Sequence, residues 1–391
     1  MNLKGTTYLG LKYLQRHRGK AALLIFAISL SLFLPLAILT VVRNAESHLR
    51  YRADSTPLLL GAPGSQLELV FNGLYYSKPG IRQMESGMAK EVRKDGLCSS
   101  IPLYVRYQAR GYRIVGTSID YFRFRGLKAE KGQLFARLGQ CVLGAEVAEE
   151  LGLGVGDSII STAEQMFDIA GVYPLKMKIV GVLAPSGGAD DRALFTDLKT
   201  TWVIEGIAHG HQEAAENDDT VLEKDGENLA LNASVVEYTE ITPDNVNSFH
   251  FHGDPDTFPI TAAIVLPKDR KSETILLGRY QSDTAAAQLL RPAEVMDDLF
   301  ATVFQVRNLV VASLVAVGIA AALISALVFV LSNRLRAREF ESLANIGAAP
   351  GSVRLLIAFE AVFVVLVSLL LTGILLGILQ LILPALLQQL T

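Results

Sequence analysis

The sequence predicts an α+β membrane protein with three transmembrane helices, one before and two after a large extracytoplasmic domain. Three observations predict it. Apolar residues concentrate in three long blocks. Arginine and lysine crowd the ends of those blocks that belong on the cytoplasmic side. The roughly 260 residues between the first and second blocks carry mixed strand and helix signals. The chain has 391 residues, is 50% hydrophobic and has a net charge of −3. That apolar content is high for a soluble protein and low for one wholly within a membrane. The mild acidity argues against a nucleic-acid partner, whose footprint is basic.

Residues 1–20 carry Lys4, Lys12, Arg16, Arg18 and Lys20 with no acidic residue, and read as a cytoplasmic segment. Residues 21–43 form the first span. Its apolar run, Ala21–Val42, is too long for a signal-peptide core, and Val41-Val42-Arg43-Asn44 offers no small-residue cleavage site. Pro35 is expected to kink it. Residues 44–305 form the extracytoplasmic domain. Ala45–Asp54 continues the helix, Leu58–Leu69 reads as loop, and Ile81–Lys94 has helical character. Pro102–Val115 alternates apolar and polar residues around Arg110-Gly111, a hairpin pattern. Lys178–Leu183 and Phe258–Leu266 read as strands, and Ser272–Tyr280 as helix. Arg291–Asp298 leads a polar helix into the second span, 306–332.

That span ends in Arg334, Arg336 and Arg338, with Arg354 beyond a short Gly/Pro-containing stretch. Residues 333–353 therefore read as a basic cytoplasmic elbow. The third span, 354–387, is too long for one simple crossing and too short for two, so a tilted helix is expected. Gly373 and Gly377, four apart, suit close helix packing. Glu360 is expected at the elbow interface in a structural or coupling role rather than as a proton relay.

Cys98 and Cys141 both fall in the extracytoplasmic region, where a disulfide is chemically permitted; two free buried thiols is the other expectation. Four of the six histidines form two His-x-His pairs, His209/His211 and His250/His252, within segment 206–256. In an extended chain i and i+2 share a face, so the pairs point to a Zn(II) site, with Glu205, Glu213 and Asp254 as oxygen candidates. The acidic Gln212–Glu227 stretch reads as a mobile loop. No P-loop, His-Glu-x-x-His or nucleophile–His pattern appears, so no enzyme is expected.

Two sets of motifs resemble one family. The elbow carries Arg338-Glu339, then Ala344-Asn345-Ile346-Gly347-Ala348, then Phe359-Glu360-Ala361. The extracytoplasmic region carries Gly116, Asp120-Tyr121-Phe122, Gly132 and Phe135, followed by Val142–Leu151, Gly156-Asp157 and Asp190–Phe195. Together they resemble the MacB/FtsX-like ABC transporter permeases. The resemblance implies a mixed α/β MacB-like periplasmic domain and a multi-pass protein of the bacterial inner membrane. It implies a homodimer that binds two separate ABC ATPase subunits through the elbow and is surrounded by membrane lipids. ATP would be used by the partner, with Arg338, Glu339, Ala344, Asn345, Ile346, Gly347 and Ala348 as the coupling segment. Family members carry a basic residue where this chain has Asn345. The family's fourth span is absent, the chain stopping at 388–391, so a three-span variant or a truncated product is expected. The function implied is conversion of ATP hydrolysis into periplasmic conformational work by mechanotransmission. The histidines suggest zinc-linked transport and a periplasmic partner protein. The alternatives are lipoprotein, lipid or small-molecule efflux, or an FtsX-like regulator of a cell-wall hydrolase.

Overall fold

A computed structural model describes residues 3–78, 80–162, 174–210, 221–225, 228–231, 239–281, 286–346 and 350–390. Along the chain run α1 (Leu3–Arg16), α2 (Arg18–Asp54), β1 (Leu58–Gly61), α3 (Gln66–Tyr75), β2 (Met84–Glu85), α4 (Ser86–Glu91), β3 (Cys98–Ala109) and β4 (Tyr112–Thr117). Next come α5 (Ile119–Arg125), β5 (Ala129–Gly132), β6 (Gln140–Leu143), α6 (Ala145–Leu151), β7 (Ser158–Ile160), β8 (Lys176–Leu183), β9 (Ala193–Asp197) and α7 (Leu198–Ile204). Then follow β10 (Ala208–Gly210), β11 (Val221–Asp225), β12 (Asn228–Leu231), β13 (Phe249–Phe251), β14 (Pro259–Ile260), β15 (Ala262–Pro267), α8 (Arg270–Arg279) and β16 (Gln288–Leu290). The chain finishes with α9 (Pro292–Leu335), α10 (Ala337–Asn345) and α11 (Pro350–Leu390). It divides into a helical unit, Met1–His48 with Asp298–Thr391, and a sheet unit, Leu49–Asp297. The sequence placed the corresponding limits at 44 and 305.

In the helical unit, three helices are long and apolar enough to cross a membrane: Arg18–Asp54, Pro292–Leu335 and Gly351–Leu383. At about 1.5 Å per residue each exceeds a roughly 30 Å hydrocarbon core. Helix α2 is continuous through Pro35. Proline cannot bond the carbonyl four residues back; here Gly318 of α9 lies against that Ser31 carbonyl. Helix α11 buries one stripe at four-residue spacing: Leu356, Glu360, Val364, Ser368 and Thr372. Ser29 on α2 donates to the Ser368 carbonyl (3.1 Å), and the Thr372 hydroxyl lies 3.3 Å from the Ser29 carbonyl. The small residues that seat α11 are therefore Ser368 and Thr372. Gly373 and Gly377 point away: among the described residues, no atom outside their own stretch of helix lies within 4 Å of a Cβ built on either.

The sheet unit is built on a mixed sheet in the order β16-β1-β15-β3-β4-β9-β6-β8-β5, with β7 on the first residues of β8. The β4–β9 and β6–β8 pairs are parallel and the other pairs antiparallel. The hairpin turns at Arg110-Gly111 (φ 49° and 89°), where a two-residue loop needs both central residues at positive φ. Leu58–Gly61, expected as loop, is a fully buried strand between β15 and β16. A short apolar run bounded by turn residues is the pattern of a strand covered on both faces. The motif residues serve the core: Phe122 lies edge-on to both Phe135 and Phe195, 5.6 and 5.4 Å between centroids. Gly132 (φ 74°) admits the Val180 carbonyl where any Cβ would clash.

Cys98 and Cys141 are free and buried. They lie on β3 and β6, which β4 and β9 separate in the sheet. Three strand spacings amount to about 14 Å, whereas a disulfide needs Cα atoms within about 7 Å. The bridge is excluded by topology. The Cys98 thiol donates instead to the Val92 carbonyl, and burial pushes the Cys141 thiol up to about 12.

Candidate functional site

The elbow begins where α9 stops. Arg336, the middle arginine of the expected basic cluster, is not a surface anchor: it is 7% exposed and its partner Glu360 is 2% exposed. One guanidinium nitrogen donates to both Glu360 oxygens at 3.0 Å, and Nε donates to Glu339 at 3.2 Å. The guanidinium lies 3.5 Å from the Tyr13 ring centroid and 4.8 Å from that of Phe340. Burying such a charge requires a paired and hydrogen-bonded partner, and a guanidinium also stacks favourably on an aromatic face. Tyr13 belongs to α1, which the sequence did not predict as a helix. Helix α1 packs on α11, with Gly10 so close to Phe359 that a Cβ would run into its ring. Arg336 thus ties α1, α10 and α11 together.

Helix α10 offers the outer surface of this joint. Arg334, Arg338, Glu339 and Glu341 are exposed, as are Asn345 and Ile346, the last 84% exposed. Ala344 lies in the same helix. Gly347 and Ala348 lie outside the described residues.

The histidine segment is part strand rather than all loop. Strands β10 and β13 pair antiparallel with His209 opposite His250. Ala208 pairs with Phe251, which stacks on Phe258 (6.1 Å) and meets Trp202 edge-on (6.4 Å), so that face of the ribbon is anchored to the core. The other face carries the histidines, because strand side chains alternate. His252 follows two residues after His250, and its backbone N–H donates to the Ile207 carbonyl (3.1 Å). The three rings converge, with centroids 4.8–5.0 Å apart and one nitrogen from each within 4.8 Å of the others. His211 and Glu213 lie outside the described residues, as does most of the acidic stretch, of which Val221–Asp225 pairs with Asn228–Leu231. Glu205 is not in the cluster: it accepts from the Tyr104 and Tyr107 hydroxyls and from Arg106 (2.7 Å). Asp254 caps its own turn by accepting from the Asp256 N–H.

A third cluster was not foreseen. Arg52, in the last turn of α2, makes a two-pronged pair with Asp190 (2.6 and 2.9 Å) and donates to the Tyr76 and Tyr121 hydroxyls (2.9 and 2.8 Å). Both tyrosines lie within donating distance of the same Asp190 oxygen, at 2.9 and 2.7 Å. Burial alone would raise the Asp190 carboxyl, but Arg52 and Tyr121 hold it at about 2. Tyr121 and Asp190 both sit in motifs already singled out. Arg52 carried no local signal, because nothing in its surroundings distinguishes it from Arg50, which is more exposed and pairs with Asp297.

Three long apolar helices and a separate mixed α/β sheet unit define a membrane protein with a large extramembrane domain. Residues 21–234, more than half of the chain, match the model of the MacB-like periplasmic core domain. The chain belongs to that family, the MacB/FtsX-like ABC transporter permeases. Its members are inner-membrane transporter components with a periplasmic domain and associate with an ABC ATPase. Among solved structures, the periplasmic region of MacB from Actinobacillus actinomycetemcomitans is similar at 11% identity and a TM-score of 0.37, over 62% of this chain and 92% of that one. The extracellular domain of the noncanonic ABC-type transporter YknZ from Gram-positive bacteria is similar at 12% identity and a TM-score of 0.33, over 60% and 99%. Comparison with curated protein sequences finds no match.

Proposed function

We propose that this chain is the membrane subunit that turns ATP hydrolysis by a separate ATPase into conformational work of its periplasmic domain. It acts as a homodimer, with α10 as the docking surface. The observation that carries the reading is the buried Arg336. It fastens the exposed α10 to α1 and α11, so that a push on α10 moves a joint rather than a loose loop. Helix α9, unbroken from Pro292 to Leu335, is the path by which that motion leaves the elbow. Exposed Arg338, Glu339 and Ile346 supply opposite charges and an apolar knob, which suits a protein partner better than lipid headgroups alone. The cluster of His209, His250 and His252 supports zinc-linked transport over the efflux and hydrolase-regulator alternatives, since neither needs converging imidazoles.

Purification of the tagged full chain from its native membranes tests the reading. An ABC ATPase is expected to accompany it, and Ile346→Asp is expected to release that ATPase while the chain stays folded. A wild-type chain that carries no ATPase, or an Ile346→Asp chain that retains it fully, counts against α10 as the docking surface.

A further inference from the structure

We propose that His209, His250 and His252 supply three imidazole ligands to a Zn(II) site on the β10–β13 ribbon. The inference does not rest on the permease reading, since a chain that couples to no ATPase would still bind zinc here.

The register creates the site. His209 and His250 are a directly opposed cross-strand pair, and His252 is the next residue on the same face. The backbone beneath them is held by the Phe251 contacts with Trp202 and Phe258 and by the bond from the His252 N–H to Ile207. Gly210 lets the Phe249 ring lie across the strand, where a Cβ would collide with it. The ligand backbones are thus fixed and only the side chains need adjust. Their nitrogens lie within 4.8 Å of one another. Tetrahedral zinc, with Zn–N of about 2.0–2.1 Å, requires roughly 3.3 Å between nitrogens. Rotation of His250 and His252, both exposed, closes that gap.

The nitrogen assignments fit. His250 Nδ1 lies 3.1 Å from the Ser248 carbonyl. In a neutral ring that contact puts the proton on Nδ1 and the lone pair on Nε2, the arrangement a metal-binding histidine commonly shows. Three neutral imidazoles suit zinc and exclude magnesium and calcium, which take oxygen ligands. Among the described residues no carboxylate joins the set, Glu205 being occupied by two tyrosines and Arg106. Tetrahedral zinc takes four ligands, so a fourth donor, from water or another group, completes the three imidazoles.

The test uses the full chain in detergent, stripped of metal and titrated with Zn(II) and, separately, Co(II). Wild type is expected to bind one zinc at this site, unaffected by excess Mg(II) or Ca(II). Its Co(II) form is expected to show the intense visible bands of four-coordinate cobalt. Changing groups that merely support a ligand costs about 10–100-fold in metal affinity. His250→Ala/His252→Ala, which removes two ligands, is thus expected to weaken binding at least about 100-fold and abolish the cobalt bands. His48→Ala should change neither. His252→Ala alone, outside the strand, repeats the loss with the ribbon pairing intact, and thermal melting confirms the fold. Equal zinc affinity in wild type and the double variant overturns the proposal, as does a wild-type Co(II) spectrum of six-coordinate, water-like form.

Discussion

The sheet unit and the helical unit each bury an arginine against a carboxylate, and the two pairs are built differently. Asp190 receives both prongs of Arg52 and lies within reach of two tyrosine hydroxyls, and the remaining partners of Arg52 are those same tyrosines. Glu360 receives one nitrogen of Arg336, whose Nε turns to Glu339, a side chain 62% exposed. Among the described residues, no second carboxylate is hydrogen-bonded to Arg52. Arg336 has one already in contact. A buried carboxylate held by both prongs of a guanidinium and by two hydroxyls is a fixed joint, although the Arg52 Nε has no partner among the described residues, whereas a guanidinium shared by a buried and an exposed carboxylate can change partners at modest cost. The fixed pair secures the last turn of α2 in the sheet unit. The exchangeable one lies at the elbow, where the proposed function needs movement.

The largest effect is expected from removing the fixed partner. Asp190→Asn leaves the Arg52 charge buried without a counter-charge, which costs about 3–5 kcal/mol. For a unit of this size that lowers Tm by roughly 6–20 °C. Glu360→Gln leaves Arg336 paired with Glu339 and should cost only about 1 kcal/mol. Thermal unfolding of the two variants side by side is the measurement. Equal losses would break the distinction between the joints.

Acid sharpens the same contrast. The Asp190 carboxyl is held at about 2 against an ordinary value of 3.8. A folded-state value below the unfolded one stabilises the protein when the group is ionised. The contribution, roughly 2 kcal/mol at about 1.36 kcal/mol per unit, is therefore complete above about pH 3.8 and fades as pH falls through about 2. Trp202, the only tryptophan, is buried in the sheet unit and reports its unfolding. Asp190→Asn should flatten the acid limb of its fluorescence curve. An unchanged limb would mean that another carboxylate governs it.

At the elbow the decisive change is double. Arg336→Ala should cost about 1–3 kcal/mol, since Glu360 loses the guanidinium that donates to both its oxygens while Glu339 returns to solvent. Glu339→Ala alone should be nearly neutral for stability, as exposed ion pairs are. Under the proposed function Arg336→Ala should also lose stimulation of the partner ATPase, because α10 is then untied from Tyr13 and α11. Full stimulation in that variant would make Arg336 a purely structural residue.

Local pattern carried much of the fold. The three long apolar helices, the Arg110-Gly111 hairpin, the strand at 176–183 and the helix at 270–279 all follow from apolar period and turn residues. What failed was non-local. Spacing cannot tell that β4 and β9 lie between Cys98 and Cys141, nor that one arginine of three turns inward. The amphipathic α1 was hidden because its basic residues read as a topology signal. At the histidine segment, i and i+2 reasoning found His250 and His252 but not the register that sets His209 opposite His250. For that, the Phe-His-Phe alternation beside an apolar Trp202 was the only available clue.

The smallest predicted effect tests which face of α11 buries Glu360. Glu360, Val364, Ser368 and Thr372 form one stripe, and the Ser368 and Thr372 hydroxyls each lie 3.3 Å from a carbonyl of α2, those of Ile25 and Ser29. Gly373 and Gly377 lie about 100° and about 140° round the helix from Thr372. Interhelical hydrogen bonds in membranes average about 0.6 kcal/mol, so Ser368→Ala should lower stability by about that much. Ser368→Leu should cost more, about 1–3 kcal/mol, because it forces a bulky group into the contact with α2. Gly373→Leu should leave the melting of the detergent-solubilised monomer unchanged, since among the described residues nothing packs within 4 Å of a Cβ at that position. If Gly373→Leu instead destabilised the monomer while Ser368→Leu did not, α11 would be turned about its axis. Glu360 would then face away from Arg336, and the exchangeable joint would not exist.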